Sequence, residues 1–258
     1  MHESFFLESP QPKGLVIFIH GLMGSPRQFT SLAHNIYESG YSVAALLLPG
    51  HGSTASDFSK GTEEAWLAHV LNQVENFSKQ YANIWLVGHS MGCLLALQVA
   101  AKHPMRIRGL FLIACPFKLK ILSLQLINVR FQQLFSNKDA PLKSAYREGR
   151  GVPLSPVLLW HSIKPAMELR RLAAATRELL PRIVPAVCAV YNQKDEVVSL
   201  KSASAFQSLP AATFFCQMTL PQSYHAYFPE SDKQIITREL SRFLAQTAPS
   251  QEIKEASL

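Results

Sequence analysis

One stretch restricts the fold of this 258-residue chain more than any other: Ile84-Trp85-Leu86-Val87-Gly88-His89-Ser90-Met91-Gly92-Cys93-Leu94-Leu95-Ala96-Leu97. Its first four residues are apolar without interruption. A run that short, ending at Gly, reads as a strand buried on both faces. From Met91 onward the residues suit a helix. Between them lies Gly88-x-Ser90-x-Gly92. A sharp strand-to-helix turn around a serine needs glycine two residues before and two after, because side chains there would collide with neighbouring backbone. Such a turn holds the serine in a strained conformation at a helix N-terminus, with its hydroxyl exposed. The N–H of Met91 then faces whatever the serine attacks. A pentapeptide of this form arises by chance in roughly one chain in ten of this size. The flanking strand and helix therefore carry the signal, against the blander reading of a glycine-rich packing turn.

The rest of the chain repeats the same rhythm. Phe5-Phe6-Leu7 reads as a short strand. Leu15–Ile19 is a fully apolar strand that ends in His20-Gly21-Leu22-Met23-Gly24-Ser25-Pro26. Ser25 can cap a helix and Pro26 can occupy its first turn, giving a helix to about Ser39. Tyr41–Leu48 is a strand broken by Pro49-Gly50-His51-Gly52. A polar loop leads to a helix from about Thr62 to Tyr81, with Trp66, Val70, Val74 and Phe77 on one face. Ile107–Ala114 is a further strand. After Pro116 the pattern becomes helical and irregular to Arg182, with Pro141, Pro153, Pro156 and Pro165. It resumes with a strand at 186–191, a helix near 200–208, a strand at 213–220 and a closing helix near 231–245. Strand and helix in alternation predict an α/β fold with a mostly parallel sheet and helices on both faces. The expected organisation is a core of 1–117 and 183–247, a helical cap of 118–182 inserted between two strands, and a solvated tail at 248–258. Ligands of open α/β sheets bind beyond the carboxyl ends of the strands, so the cap is expected over Ser90.

A serine hydroxyl needs a base to take its proton and a carboxylate to orient that base. Of nine histidines, His20, His51 and His89 sit in turns near the serine. His20 and His51 read as loop residues that bond backbone. His89 should point away from the hydroxyl. His225, at the carboxyl end of the last strand in Pro221-Gln222-Ser223-Tyr224-His225-Ala226, is the expected base. Asp195, following the strand 186–191, is the expected acid, with Glu196 as its competitor. Three strand ends thus supply nucleophile, acid and base in the order Ser, Asp, His. The oxyanion of an acyl-transfer intermediate needs two donors. The N–H groups of Met91 and Leu22 are expected to supply them.

With these residues in view, the chain resembles the α/β-hydrolase superfamily over nearly its whole length, and within it the bacterial carboxylesterases and monoacylglycerol lipases. The likeness rests on His20-Gly21-Leu22-Met23-Gly24-Ser25-Pro26, Leu48-Pro49-Gly50-His51-Gly52, Gly88-His89-Ser90-Met91-Gly92, Asp195 with Val197-Val198, and His225. It implies an α/β-hydrolase fold, a triad of Ser90, Asp195 and His225, and oxyanion donors at Leu22 and Met91. It also implies a small cap over an acyl pocket, with no metal or cofactor. The chain departs from the usual pattern at Asn192 and Tyr224, where Gly is common, and at Cys93, where a second Gly is common.

Charge and cysteine usage narrow the setting. Residues 118–182 hold 12 basic and 4 acidic residues, a net +8, against +7 for the whole chain. The positive charge therefore belongs to the cap, with Lys118, Lys120, Arg130, Arg147, Arg150, Arg170, Arg171 and Arg177 as its main carriers. It suits an anionic membrane surface or an acyl carrier protein; no nucleic-acid-binding motif accompanies it. An apolar stripe at Ile121, Leu122, Leu124, Leu126, Ile127, Val129, Phe131, Leu134 and Phe135 suits a single-chain acyl ester, or ordinary helix packing. Four cysteines in apolar settings, none in a C-x-x-C pair, read as free thiols of a cytoplasmic protein. The expected activity is cleavage of small carboxylic esters through an acyl-enzyme. The alternatives are an esterase or thioesterase acting on a carrier-bound acyl group, and a non-catalytic receptor on the same fold.

Overall fold

The computed structural model describes residues 2–120, 151 and 161–249. Seven strands form one sheet: β1 (Phe5–Leu7), β2 (Leu15–Ile19), β3 (Ser42–Leu46), β4 (Ile84–His89), β5 (Ile107–Ile113), β6 (Ala186–Asn192) and β7 (Phe215–Leu220). Their order is β1-β3-β2-β4-β5-β6-β7, and β1 alone runs antiparallel to its neighbour. The strand leading to Ser90 is therefore the central one, flanked by β2 and β5.

The strands are apolar at successive positions because both faces of the sheet are covered. Alternate residues serve opposite layers. Ile17, Leu86, Leu110 and Leu112 join a core with the helices α3 (Glu63–Phe77), α4 (Met91–Lys102) and α5 (Ile163–Leu179). Phe18, Val87, Phe111 and Ile113 join a second core with α1 (Thr30–Glu38) and α6 (Glu230–Thr247). Helix α3 begins where Thr62 caps it, its hydroxyl accepting the Ala65 N–H at 3.2 Å. Glu63 and Glu64 follow in the first turn, where negative charge suits the helix dipole. Its buried residues Trp66, Val70 and Val74 recur every four positions. Helix α4 is buried almost throughout, from Met91 to Ala100, as a helix apolar all round must be.

Helix α5 comes from the segment expected to be cap. Leu169 and Leu172 lie in the first core, and the Gln98 amide of α4 donates to Thr176 Oγ1 at 3.2 Å. Residues 163–179 therefore complete the helical layer beside α4. The apolar stripe between Ile121 and Phe135, the residues Arg130, Arg147 and Arg150, and most of the tail at 248–258 lie outside the described residues.

Several boundaries differ from expectation. The helix expected to start at Ser25 is split into a 3₁₀ turn, Pro26–Phe29, and α1, and the Ser25 side chain makes no cap bond. The polar loop after Gly52 contains a short helix, α2 (Ala55–Ser59), capped by Thr54, whose hydroxyl accepts the Asp57 N–H. Five residues carry too little hydrophobic period to announce a helix. Residues Leu200–Ser208 wind as 3₁₀ turns, and the last strand begins at Phe215. All four cysteines are free; Cys93, Cys115 and Cys188 are buried and Cys216 is half-buried. Among the described residues, no helix is long and apolar enough to cross a membrane.

Candidate active site

The turn between β4 and α4 has the geometry its glycines demanded. Ser90 sits at φ 51°, ψ −119°, a conformation that costs a non-glycine residue on the order of 1–3 kcal/mol. A Cβ at Gly92 would lie 2.0 Å from the Ile19 carbonyl oxygen, and one at Gly88 2.6 Å from the Cys93 backbone. Both sites exclude any side chain. The turn is locked from the sheet, where the Ser90 N–H donates to Ile113 O at 2.9 Å. Cys93 Sγ lies 3.2 Å from both Gly88 O and Ile113 O, packed behind the turn.

The loops beyond β6 and β7 meet this serine. His225 Nε2 lies 3.1 Å from Ser90 Oγ, and His225 Nδ1 lies 2.9 Å from Asp195 Oδ2. The other carboxylate oxygen of Asp195 accepts the N–H groups of Val197 and Val198, each at 2.7 Å. Burial on its own would raise the Asp195 carboxyl. The His225 charge and hydrogen bond, together with the Val198 and Val197 N–H groups, outweigh it and hold the carboxyl below its ordinary value. Asp195 is thus a buried, ionised carboxylate bonded to the His225 ring. The acid loop is pinned from 118–120: Leu119 bridges Val198, Lys120 N–H donates to Val197 O at 2.8 Å, and the Lys120 ammonium donates to Asp195 O. A hydroxyl bonded to an imidazole, itself oriented by a buried carboxylate, is the arrangement that activates an oxygen nucleophile.

The competitor Glu196 does something else. Its Oε2 accepts the backbone N–H of His225 at 3.0 Å. His89 was expected to point away from the hydroxyl, and it is turned to the base loop, its Nε2 donating to His225 O at 2.8 Å. Burial, then the neighbouring His225 charge, lower His89 to about 3, so the ring is neutral. Asn192 donates from Nδ2 to Tyr224 O at 2.7 Å. The two departures from the usual family pattern, at 192 and 224, are therefore bonded to each other.

The turn after β2 lies directly against Ser90. A Cβ at Gly21 would fall 2.9 Å from the Ser90 Cβ. His20 and His51 shape this turn, as expected. His20 Nε2 accepts the Leu48 N–H at 3.0 Å, which leaves Nδ1 protonated to donate to Gly21 O at 2.8 Å. His51 Nε2 accepts the Met23 N–H at 3.2 Å, and Nδ1 donates to Pro49 O at 3.2 Å. Burial lowers His51 to about 4, and burial and the His51 charge hold His20 well below its ordinary value. Both rings are neutral spacers. Met23 itself takes φ 62°, so its N–H is turned to His51. Leu22 precedes it at the sheet's carboxyl edge, and Met91 is the first residue of α4, whose N–H has no acceptor within the helix.

Gly151 was missed by the sequence reading. Its N–H donates to Met23 O at 2.8 Å, its carbonyl accepts from Gly52, and a Cβ there would fall 2.1 Å from Gly24 O. Only the contact reveals it, since a glycine in an irregular segment carries no pattern. Among the described residues, no group of three or more His, Cys, Asp or Glu side chains is gathered to hold a metal ion.

Comparison with known proteins agrees with this fold. A family model described as alpha/beta hydrolase fold matches residues 14–186. The thermostable monoacylglycerol lipase of Bacillus sp. strain H-257 is 26% identical over 247 residues, covering 95% of each chain. The pimeloyl-[acyl-carrier protein] methyl ester esterase of Shewanella woodyi is 32% identical over 114 residues, 44% of this chain and 41% of that one. Among solved structures, a chain reported with the metagenome-derived lipolytic enzymes LipS and LipT superposes with a TM-score of 0.76. It is 24% identical, covers 95% of this chain and 98% of its own, and shares the fold.

Proposed function

The chain belongs to the alpha/beta hydrolase family and is a serine ester hydrolase; from that premise we propose that it works through an acyl-enzyme formed on Ser90. In this reading His225 takes the Ser90 proton as Oγ attacks the ester carbonyl, then returns it to the departing alcohol. Asp195 holds the imidazole in the Nδ1–H tautomer and offsets the charge of the imidazolium. The N–H groups of Met91 and Leu22 receive the oxyanion. Leu22 is favoured over Met23 because His51 already occupies the Met23 N–H. Water then repeats the sequence on the acyl-enzyme. The observation that carries the reading is the continuous hydrogen-bonded line Asp195–His225–Ser90.

The cap is the finer part of the proposal. Residues 163–179 pack beside α4, so they are left out of the cap in this reading. A single-chain ester of the monoacylglycerol kind is the favoured substrate, in keeping with the Bacillus relative matched over 95% of its length. A panel of p-nitrophenyl esters of rising acyl length tests this. Turnover should pass through a maximum at medium or long chains, and a flat zero would favour a carrier-bound acyl substrate or a non-catalytic receptor instead.

Asp195→Asn should preserve the fold and lower kcat about 10³–10⁴-fold, by leaving the imidazole in the wrong tautomer. Glu196→Gln should be far milder. The reverse order of severity, measured on one ester under single-turnover conditions, would move the acid role to Glu196.

The basic segment is assigned to an anionic lipid surface. Three of its residues are already engaged within the fold: Lys120 with the acid loop, Arg177 with Phe117, and Arg171 through an ion pair to the buried Glu168 at 3.1 Å. Arg170 and Arg171 are exposed on α5 beside the exposed side chain of Met167. Charge at a surface concentrates an oppositely charged substrate, and salt weakens the effect. Raising salt should therefore slow turnover of esters in anionic vesicles and leave a small soluble ester unchanged. Reversal of Arg170 and Arg171 to Glu should mimic the salt. Salt sensitivity with a carrier-bound acyl group, and none with vesicles, would favour the carrier-protein reading instead, which the partial Shewanella match motivates.

A further inference from the structure

Three polar side chains outside the triad converge on two consecutive residues of the base loop. Asn192, at the end of β6, donates to the Tyr224 carbonyl at 2.7 Å. Glu196, in the acid loop, accepts the His225 N–H at 3.0 Å. His89, at the end of β4, donates to the His225 carbonyl at 2.8 Å. The start of the same loop is tied separately: buried Asp232 of α6 accepts the Gln222 N–H at 3.0 Å and the Ser223 hydroxyl at 2.7 Å. Asn192 and His89 are themselves buried, at 1% and 5% exposure. The backbone that carries the imidazole is thus gripped on successive groups by three side chains from two strand ends, those of β4 and β6.

We propose that Asn192, Glu196 and His89 form a clamp of positioning residues that sets the His225 imidazole at its distance from Ser90. The inference rests on the reading of His225 as the base. The physical need is plain. The base loop is not a strand or helix, so no ladder of main-chain bonds fixes Tyr224 O, His225 N or His225 O. Misplacement of a catalytic group by about 1 Å can cost on the order of 10²-fold in rate. Glu196 acts here as an acceptor for a neutral N–H. An amide oxygen has the same reach and accepts equally well, so the clamp does not depend on the charge of Glu196.

That last point separates a clamp from an electrostatic role. Glu196→Ala should lower kcat about 10–100-fold on p-nitrophenyl butyrate, with KM within about two-fold of the parent. Glu196→Gln should recover kcat to within about five-fold of the parent. Asn192→Leu, similar in shape but without a donor, should lower kcat in the same manner and gives an independent readout if Glu196→Ala does not fold. The double variant Glu196→Ala, Asn192→Leu should lose less than the product of the single losses, because both act on one loop. His225→Ala, run beside them, tests the underlying reading. If His225→Ala retains activity, the base is misassigned. If it is inactive while Glu196→Ala and Asn192→Leu keep the parent kcat, the clamp is overturned and the base stands. A Glu196→Gln variant as deficient as Glu196→Ala overturns the clamp in favour of a charge effect.

Discussion

Ser90→Ala folds like the parent and loses about 10⁴–10⁶ in kcat, a barrier increase of about 5–8 kcal/mol. The loss is expected to be this large because a serine nucleophile, its base and its orienting acid act as one unit, and what remains is binding and oxyanion stabilisation alone. The fold should survive because the elbow's geometry is enforced by Gly88, Gly92 and the bond from the residue-90 N–H to Ile113 O. None of these uses the hydroxyl. Relief of a positive φ is not expected, since Ala faces the same backbone constraint. A fluorophosphonate should label the parent once, at Ser90, and leave the variant unlabelled, as read by intact mass and peptide mapping. Labelling at any other residue, or parental turnover in the variant, would remove Ser90 from the mechanism.

His225→Ala is expected to be as inactive as Ser90→Ala, and the double variant little worse than either. The imidazole is the one group that touches both partners, at 3.1 Å from the serine and 2.9 Å from the acid. His51→Ala should be milder. His51 holds the Met23 N–H and Pro49 O, so its loss loosens the turn that carries Leu22 without removing a proton carrier. His89→Ala belongs with the base-loop clamp and should show lowered kcat at nearly unchanged KM. The measurement is kcat and KM for the four proteins on one soluble ester, with folding checked by circular dichroism. A dead His51→Ala beside an active His225→Ala would transfer the base role.

Much of this was legible before any coordinates. Short apolar runs located every strand, and the 3.6-residue apolar period located the long helix after Thr62, because burial on one or both faces writes itself into residue order. The ends of those elements were less legible. Thr62 and Thr54 both cap helices, yet only the longer helix had enough apolar period to be read. The split at Pro26–Phe29 and the 3₁₀ winding of 200–208 come from local hydrogen-bond geometry that composition does not encode. Helix α5 was read as part of an insertion because irregular prolines precede it, while its apolar face, with Leu169 and Leu172, packs against α4.

The site divides along the same line. The sequence by itself determined the elbow, since Gly88 and Gly92 admit no alternative to a backbone closer than any Cβ allows. It also put a serine, an aspartate and a histidine at the carboxyl ends of three strands, because strand order and loop position follow from patterning. Only the tertiary structure decided which polar neighbours bond the backbone around His225. Asn192, Glu196 and His89 are separated from His225 by 33, 29 and 136 positions, and no periodicity links side chains on different strand ends. Their roles arise where loops meet, as the hydrogen bonds at Tyr224 O, His225 N and His225 O, and residue order carries no trace of a contact that depends on how separate elements are brought together.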